Sequence, residues 1–215
     1  MKTKILALAL SSLMFCSYAS ADVIYTNGSA GQQTEPALIS DPQSVTNSFS
    51  FTGNQVVLTD ATIGAWVQQG DVPASVSWSL GTSQFGADVA TGTSALTNNV
   101  FQFTTGNDTD GFFDVYSSNF ALSATLDAGV TYWLTLSNGF SDNDGLGWGV
   151  NNGQSLAFST NPTGTDAIPS EYFQLNGTIV PQNPGGGEVP EPASLAIFGA
   201  GLAGLAAVRR RKQAA

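Results

Sequence analysis

The chain has 215 residues, a formal net charge of −10, one cysteine, no histidine and only 6 Lys+Arg. The six cations sit at the two ends, Lys2 and Lys4 in front and Arg209, Arg210, Arg211 and Lys212 behind, while all 16 Asp+Glu lie between Asp22 and Glu191. The body of the protein therefore offers no basic footprint for nucleic acid. It also lacks the imidazole, amine or guanidinium that Ser-His-Asp, Cys-His, Schiff-base, phosphate-lysine and His-zinc chemistries need.

In chain order, Lys2 and Lys4 make a positive n-region, and Ile5 to Cys16 form an apolar run broken only by Ser11 and Ser12. Ala19-Ser20-Ala21 then supplies a small-x-small cleavage pattern. Residues 1–21 read as a secretory signal peptide with Asp22 as the mature N-terminus, the apolar run being too short for a span of about 20 residues. Cys16 falls in the removed peptide. The exported chain then has no disulfide, and its stability rests on burial.

Residues 22–180 have β texture throughout. Val76-Ser77-Trp78-Ser79-Leu80 alternates cleanly, as do Phe49-Ser50-Phe51 and Phe101-Gln102-Phe103. Val130 to Leu136 places Val130, Tyr132, Leu134 and Leu136 on one face and Thr131, Trp133 and Thr135 on the other. Further strands are expected at Val23–Tyr25, Val56–Leu58, Ile63–Val67, Phe112–Tyr116, Phe120–Leu126, Leu156–Phe158 and Tyr172–Leu175. Turn signals separate them at Thr52-Gly53-Asn54, Gln69-Gly70-Asp71, Asn107 to Gly111 and Asn138-Gly139. Nine or ten short strands without helical periodicity or a fixed repeat predict one antiparallel β-sandwich, jelly-roll-like or immunoglobulin-like.

Residues 181–188 are a Pro/Gly linker. Val189-Pro190-Glu191-Pro192 follows, then an apolar, Gly/Ala-rich stretch from Ala193 to Val208, then Arg209-Arg210-Arg211-Lys212. A rigid proline element, a short membrane-seeking helix over 193–208 and a positive-inside stop are the physical reading. This tail, residues 189–215, resembles the PEP-CTERM sorting signal, also known as the ice-binding protein C-terminal motif. The resemblance implies recognition by an exosortase, a membrane-embedded transpeptidase-like enzyme, in a Gram-negative bacterium that makes extracellular polysaccharide. It also implies membrane residence through the C-terminal helix before processing, and a final place in the envelope, on the surface or outside the cell. Ice binding would need a regular Thr array, and the sequence has no such period. Leu126 to Leu134 is similar to a late strand of bacterial adhesin-like or choice-of-anchor domains, which supports a β ectodomain.

Three constellations bear on chemistry. Asp108-Thr109-Asp110-Gly111 and Asp142-Asn143-Asp144-Gly145 each put two carboxylates on a tight turn, a pattern that suits Ca²⁺ and equally a plain turn. Asp108, Asp110, Asp142 and Asp144 are thus the candidate metal ligands. Trp148, within Gly145-Leu146-Gly147-Trp148-Gly149, is expected in an open loop beside Asp142 and Asp144 as a sugar-stacking aromatic, whereas Trp66 and Trp78 are expected in the core. Paired carboxylates for glycoside hydrolysis need no histidine, but among the acids only Asp114 and Glu171 sit beside strand aromatics. The reading that follows is an exported, exosortase-sorted, non-catalytic sandwich without catalytic residues. A calcium-assisted carbohydrate-binding module and a carboxylate-based glycoside-acting enzyme are the alternatives, with cations and neutral glycans the natural partners of so acidic a domain and extracellular polysaccharide a candidate among them.

Overall fold

The computed structural model describes residues 21–29, 34–107 and 111–181. Residues 1–20, the tail 189–215 with its expected membrane helix, and the loop carrying Asp108 and Asp110 lie outside the described residues. Among the described residues no helix is long and apolar enough to cross a membrane. Thirteen strands run through them: β1 (Asp22–Asn27), β2 (Pro36–Leu38), β3 (Ser44–Phe49), β4 (Val56–Gln68), β5 (Pro73–Gly81), β6 (Ala90–Ala95), β7 (Thr97–Asn107), β8 (Gly111–Leu126), β9 (Tyr132–Ser141), β10 (Gly147–Gly149), β11 (Ala157–Asn161), β12 (Gly164–Ile168) and β13 (Phe173–Ile179).

They form two antiparallel sheets. In the seven-stranded sheet, β7 pairs with β8 and β8 with β4. The far edge of β4 is shared end to end, β13 taking Val56 to Ile63 and β10 taking Ala65 and Trp66; β1 lies outside β13, and β2 outside β10. The six-stranded sheet has the order β12-β11-β3-β9-β5-β6. Inward side chains of both sheets meet in one core, with Leu58, Ile63, Phe120 and Phe173 from the first and Val45, Val76, Leu134 and Leu136 from the second. The expected antiparallel all-β sandwich is the fold.

The strand count differs from the expected nine or ten for identifiable reasons. Val56–Leu58 and Ile63–Val67 belong to the single strand β4, because a bulge between Leu58 and Asp60 shifts its inward positions from Val56 and Leu58 to Ala61, Ile63, Ala65 and Val67. Phe112–Tyr116 and Phe120–Leu126 likewise belong to β8, continuous through Ser117-Ser118-Asn119, where Ser118 is fully buried despite its hydroxyl. Asn138-Gly139 is not a turn but an irregularity inside β9: Asn138 has φ +47°, and a Cβ on Gly139 would stand 2.8 Å from Ile39 Cγ1. The short strands β2, β10 and β12 and the Ser/Thr-rich β6 carry no apolar alternation to announce them.

One side of the sandwich is closed by the chain itself. Between β6 and β7 only Leu96 intervenes, buried and donating its N–H to Ala74 O at 2.8 Å, so the chain passes there from one sheet to the other. Ser94 fastens this corner: its hydroxyl accepts from Trp78 Nε1 (3.1 Å) and donates to Ala121 O (2.6 Å).

Candidate functional site

The acidic turns are braced from within. Asp71, in the β4–β5 turn, is buried and accepts hydrogen bonds from Ser141 Oγ (3.0 Å) and Asn143 Nδ2 (2.5 Å). Asp114 on β8 accepts from Gly70 N (2.9 Å) and Thr104 Oγ1 (2.6 Å), gripping the same turn from the other side. The expected metal ligands Asp142 and Asp144 are exposed, and Asp144 Oδ1 accepts the N–H of Gly145 at 2.7 Å. Among the described residues no group of three or more His, Cys, Asp or Glu stands together as a cage for a metal ion. Asp108 and Asp110 lie outside the described residues.

Trp148 is not in an open loop, and that expectation is corrected. It forms β10, is 0 % exposed, donates Nε1–H to Tyr172 O at 2.7 Å and meets Phe173 edge-on with centroids 5.8 Å apart. The glycines beside it serve close packing, not access: a Cβ on Gly147 would fall 2.4 Å from Pro36 Cβ. Trp66 and Trp78 are buried as expected. Trp66 lies against Phe103 and Phe113, each with centroids 6.2 Å away, and a cleft of about 510 Å³ beside it is lined by Leu38, Gln43, Phe113 and Asp144 among others. Trp66 is only 4 % exposed, so it presents an edge to that cleft and no open ring face.

Glu171 is the most perturbed acid, and it is sealed in. It is 0 % exposed; Asn47 Nδ2 donates to Oε2, Asn47 Oδ1 accepts its backbone N–H at 3.2 Å, and Asn27 Nδ2 donates to its carbonyl at 2.6 Å. Oε1 has no partner. Burial pushes the carboxyl up to about 8, against the opposing pull of the Asn47 hydrogen bond, so it is protonated at neutral pH. A raised carboxyl of this kind is what a general acid needs. Here its hydrogen-bonding neighbours are amides, not a second carboxylate, and no part of it reaches solvent.

A different arrangement appears on the outer face of the six-stranded sheet. The register aligns Thr93 (β6), Ser77 (β5), Ser137 (β9), Ser44 (β3), Thr160 (β11) and Thr165 (β12) in one unbroken row across all six strands. The next row runs Thr91, Ser79, Thr135, Thr46, Phe158 and Ala167. Neighbouring hydroxyls pair within the rows: Ser77 with Thr93 (3.0 Å), Ser44 with Thr160 (2.7 Å) and Thr135 with Thr46 (2.8 Å). Trp133 follows on the same face, its ring 5.9 Å from that of Phe158. Sequence reading took these strands for their inward apolar halves and left their Ser/Thr halves unassigned. The usable signal is the Ser-x-Ser and Thr-x-Thr alternation repeated in β3, β5 and β6.

These features define an all-β, charge-segregated sandwich without a described catalytic constellation, and the comparisons with known proteins add where it goes. A family model of the PEP-CTERM protein-sorting motif matches residues 188–212, which include Val189, Pro190, Glu191 and Pro192 and the basic cluster Arg209, Arg210, Arg211 and Lys212. The chain therefore carries a PEP-CTERM sorting signal, is exported across the inner membrane to the cell envelope or surface, and is processed by an exosortase-type membrane enzyme. No curated protein and no solved structure matches it.

Proposed function

We propose that this exported protein is a non-catalytic component of the cell surface or extracellular matrix, its sandwich displayed or released after the sorting tail is processed. The observation that carries the reading is the sorting motif at residues 188–212. Against hydrolysis stands the burial of Glu171, whose carboxyl no substrate can reach without unfolding the region. Association with neutral extracellular polysaccharide is the role of the sandwich that best fits its surface, because the hydroxyl rows are a part of this acidic body that carries no charged side chain of its own.

The test uses the full chain in a host with the processing enzyme, wild type and Pro190→Ala/Glu191→Ala/Pro192→Ala. The wild type is expected in shortened form in the envelope, surface or culture fluid, and the variant at full length in the membrane fraction. Equal processing and release of the two would sink the proposal. Incubation of the released protein with neutral and anionic polysaccharides is expected to generate no new reducing ends. Their appearance would return the glycoside-acting alternative to first place.

A further inference from the structure

We infer that the outer face of the six-stranded sheet is a contact surface for a neutral, hydroxyl-rich polysaccharide chain, an inference that rests on the polysaccharide association proposed above. Charge placement is the first argument. Between Asp22 and Glu171 the chain carries 14 acids, yet the six strands of this sheet contain a single one, Asp166 on β12. Asp166 pairs with Ser159, out of step with Thr165 and Thr160, and so belongs to the opposite face. The leading row thus carries no ionised side chain on a body of uniform negative sign; the acid nearest this face is Asp88, whose loop folds back over Gly81 and Ser79 at the end of β5. A neutral polyol docks there without stripping water from an ion, whereas a polyanion is repelled by the rest of the domain.

The second argument is hydrogen-bond capacity. A hydroxyl donates once and accepts twice, the same repertoire as a sugar hydroxyl. The leading row presents six of them over five strand spacings, about 24 Å at ~4.8 Å per strand. The paired hydroxyls of Ser77 with Thr93 and Ser44 with Thr160 are oriented by their neighbours before any ligand arrives, which lowers the ordering cost of binding; Thr46 and Thr135 in the next row are buried and only support the face. The hydroxyls of Ser137 and Thr165 make no hydrogen bond to another described residue. The third argument is the apolar strip beside the rows. Trp133 and Phe158 are half-buried ring neighbours, and Leu156, next to them, is 64 % exposed, a combination suited to the C–H face of a pyranose. A sheet in a sandwich twists, so the rows match a pliant polymer better than a flat crystalline lattice. The cleft beside Trp66 is the weaker candidate, having an acidic rim and no open ring face.

The experiment measures binding of the processed, exported protein to a soluble neutral β-glucan, with alginate as the anionic control. Thr93→Glu/Thr165→Glu places two carboxylates at the exposed ends of the leading row, and Ala121→Glu/Thr125→Glu places the same charge at exposed positions of β8 in the other sheet. Wild type and β8 variant are expected to bind glucan alike and to ignore alginate, with affinity changing less than about twofold in 1 M NaCl. The row variant is expected to lose about tenfold or more. Trp133→Ala, which adds no charge, is expected to weaken binding by itself, and it decides the matter if the row variant does not fold. Unchanged binding in both face variants would overturn the surface assigned here while leaving polysaccharide association intact. Failure of the wild type to bind neutral glucan would overturn both. Tighter binding to alginate than to glucan would overturn the charge argument and the surface with it.

Discussion

The two sheets share a core and differ in what they turn outward. The six-stranded sheet contains one acid in its strands, and its outer face is made of Ser, Thr, Trp133 and Phe158. The seven-stranded sheet carries Asp22, Asp60 and Asp114 in its strands and buries aromatic rings on its outside, Trp66 against Phe103 and Phe113. Buried acids are held by hydrogen bonds to turns and amides in place of cations, since the body has none. The contrast teaches that negative charge was not spread evenly over the domain. It was kept at turns, at one sheet and inside, leaving the hydroxyl rows of the other sheet without an acid of their own.

If the seven-stranded sheet is the structural half, damage to it should cost stability and leave the hydroxyl face untouched. The largest effect is expected from Trp148→Ala, which empties a fully buried site and removes the Nε1–H donor to Tyr172 O. A loss of about 3–5 kcal/mol in denaturant unfolding is expected. A loss under about 1 kcal/mol would mean that β10 is peripheral and that the open-loop reading of Trp148 was nearer the truth.

The next concerns Glu171, between the sheets. Its carboxyl goes from 4.5 in the unfolded chain to about 8 in the fold, so the native state holds the proton more tightly. The contribution of this group is greatest below pH 4.5, where both states are protonated, falls as pH rises through the window from 4.5 to about 8, and stays at its lower value above. Glu171→Gln stays neutral and keeps an acceptor for Asn47. Stability of the wild type relative to this variant should therefore decline by a few kcal/mol between pH 5 and pH 8, at up to about 1.4 kcal/mol per pH unit. A flat difference across that range would show the carboxyl to be hydrated.

These two residues also show what the sequence could and could not disclose. Strand character, core Trp78 and the two faces of Tyr132 to Leu136 follow from a period of two, which is local information, whereas Trp66 is buried on the outer face of its sheet by Phe103 and Phe113. Trp148 was misplaced because glycines on both sides signal a loop when they are read alone. In the fold Gly147 is required by Pro36 on a neighbouring strand, where a Cβ would fall 2.4 Å from Pro36 Cβ, a contact made across more than 80 residues of chain. The hydroxyl rows were hidden for the same reason. The alternation of Ser and Thr is visible strand by strand, but the members come from six strands in the spatial order β6, β5, β9, β3, β11, β12, so nothing along the chain records that they align in rows. The sorting tail, by contrast, is linear, and Val189 to Lys212 can be read in order. Topology, not composition, separates what was legible from what was not.

A smaller effect should come from Asp71, which joins the β4–β5 turn to the turn after β9. Asp71→Asn keeps the shape but replaces one acceptor oxygen with a donor facing Ser141 or Asn143. The unfolding free energy from denaturant melts should drop by about 1–3 kcal/mol at neutral pH. No loss would indicate that these turns are held by their backbone bonds alone, Ser141 N to Asp144 O and Asp142 N to Val72 O.

The smallest expected effect is that of calcium. A calcium site collects six to eight oxygens, several of them carboxylate. In the 142–145 turn, Asp144 Oδ1 is already committed to Gly145 N, and Asn143 is turned toward Asp71. Only the exposed carboxylates of Asp142 and Asp144 remain there, too few to strip the ion of its water. Thermal melts of the exported protein in EDTA and in millimolar Ca²⁺ should therefore agree within about 1 °C. An ion present at 100 times its Kd would add about 2.7 kcal/mol, which for a domain of this size raises Tm by roughly 5–10 °C. A shift of that order would restore calcium to the fold. The variants Asp142→Asn/Asp144→Asn and Asp108→Asn/Asp110→Asn would then say which turn holds it, since only the one that carries the ion should abolish the shift.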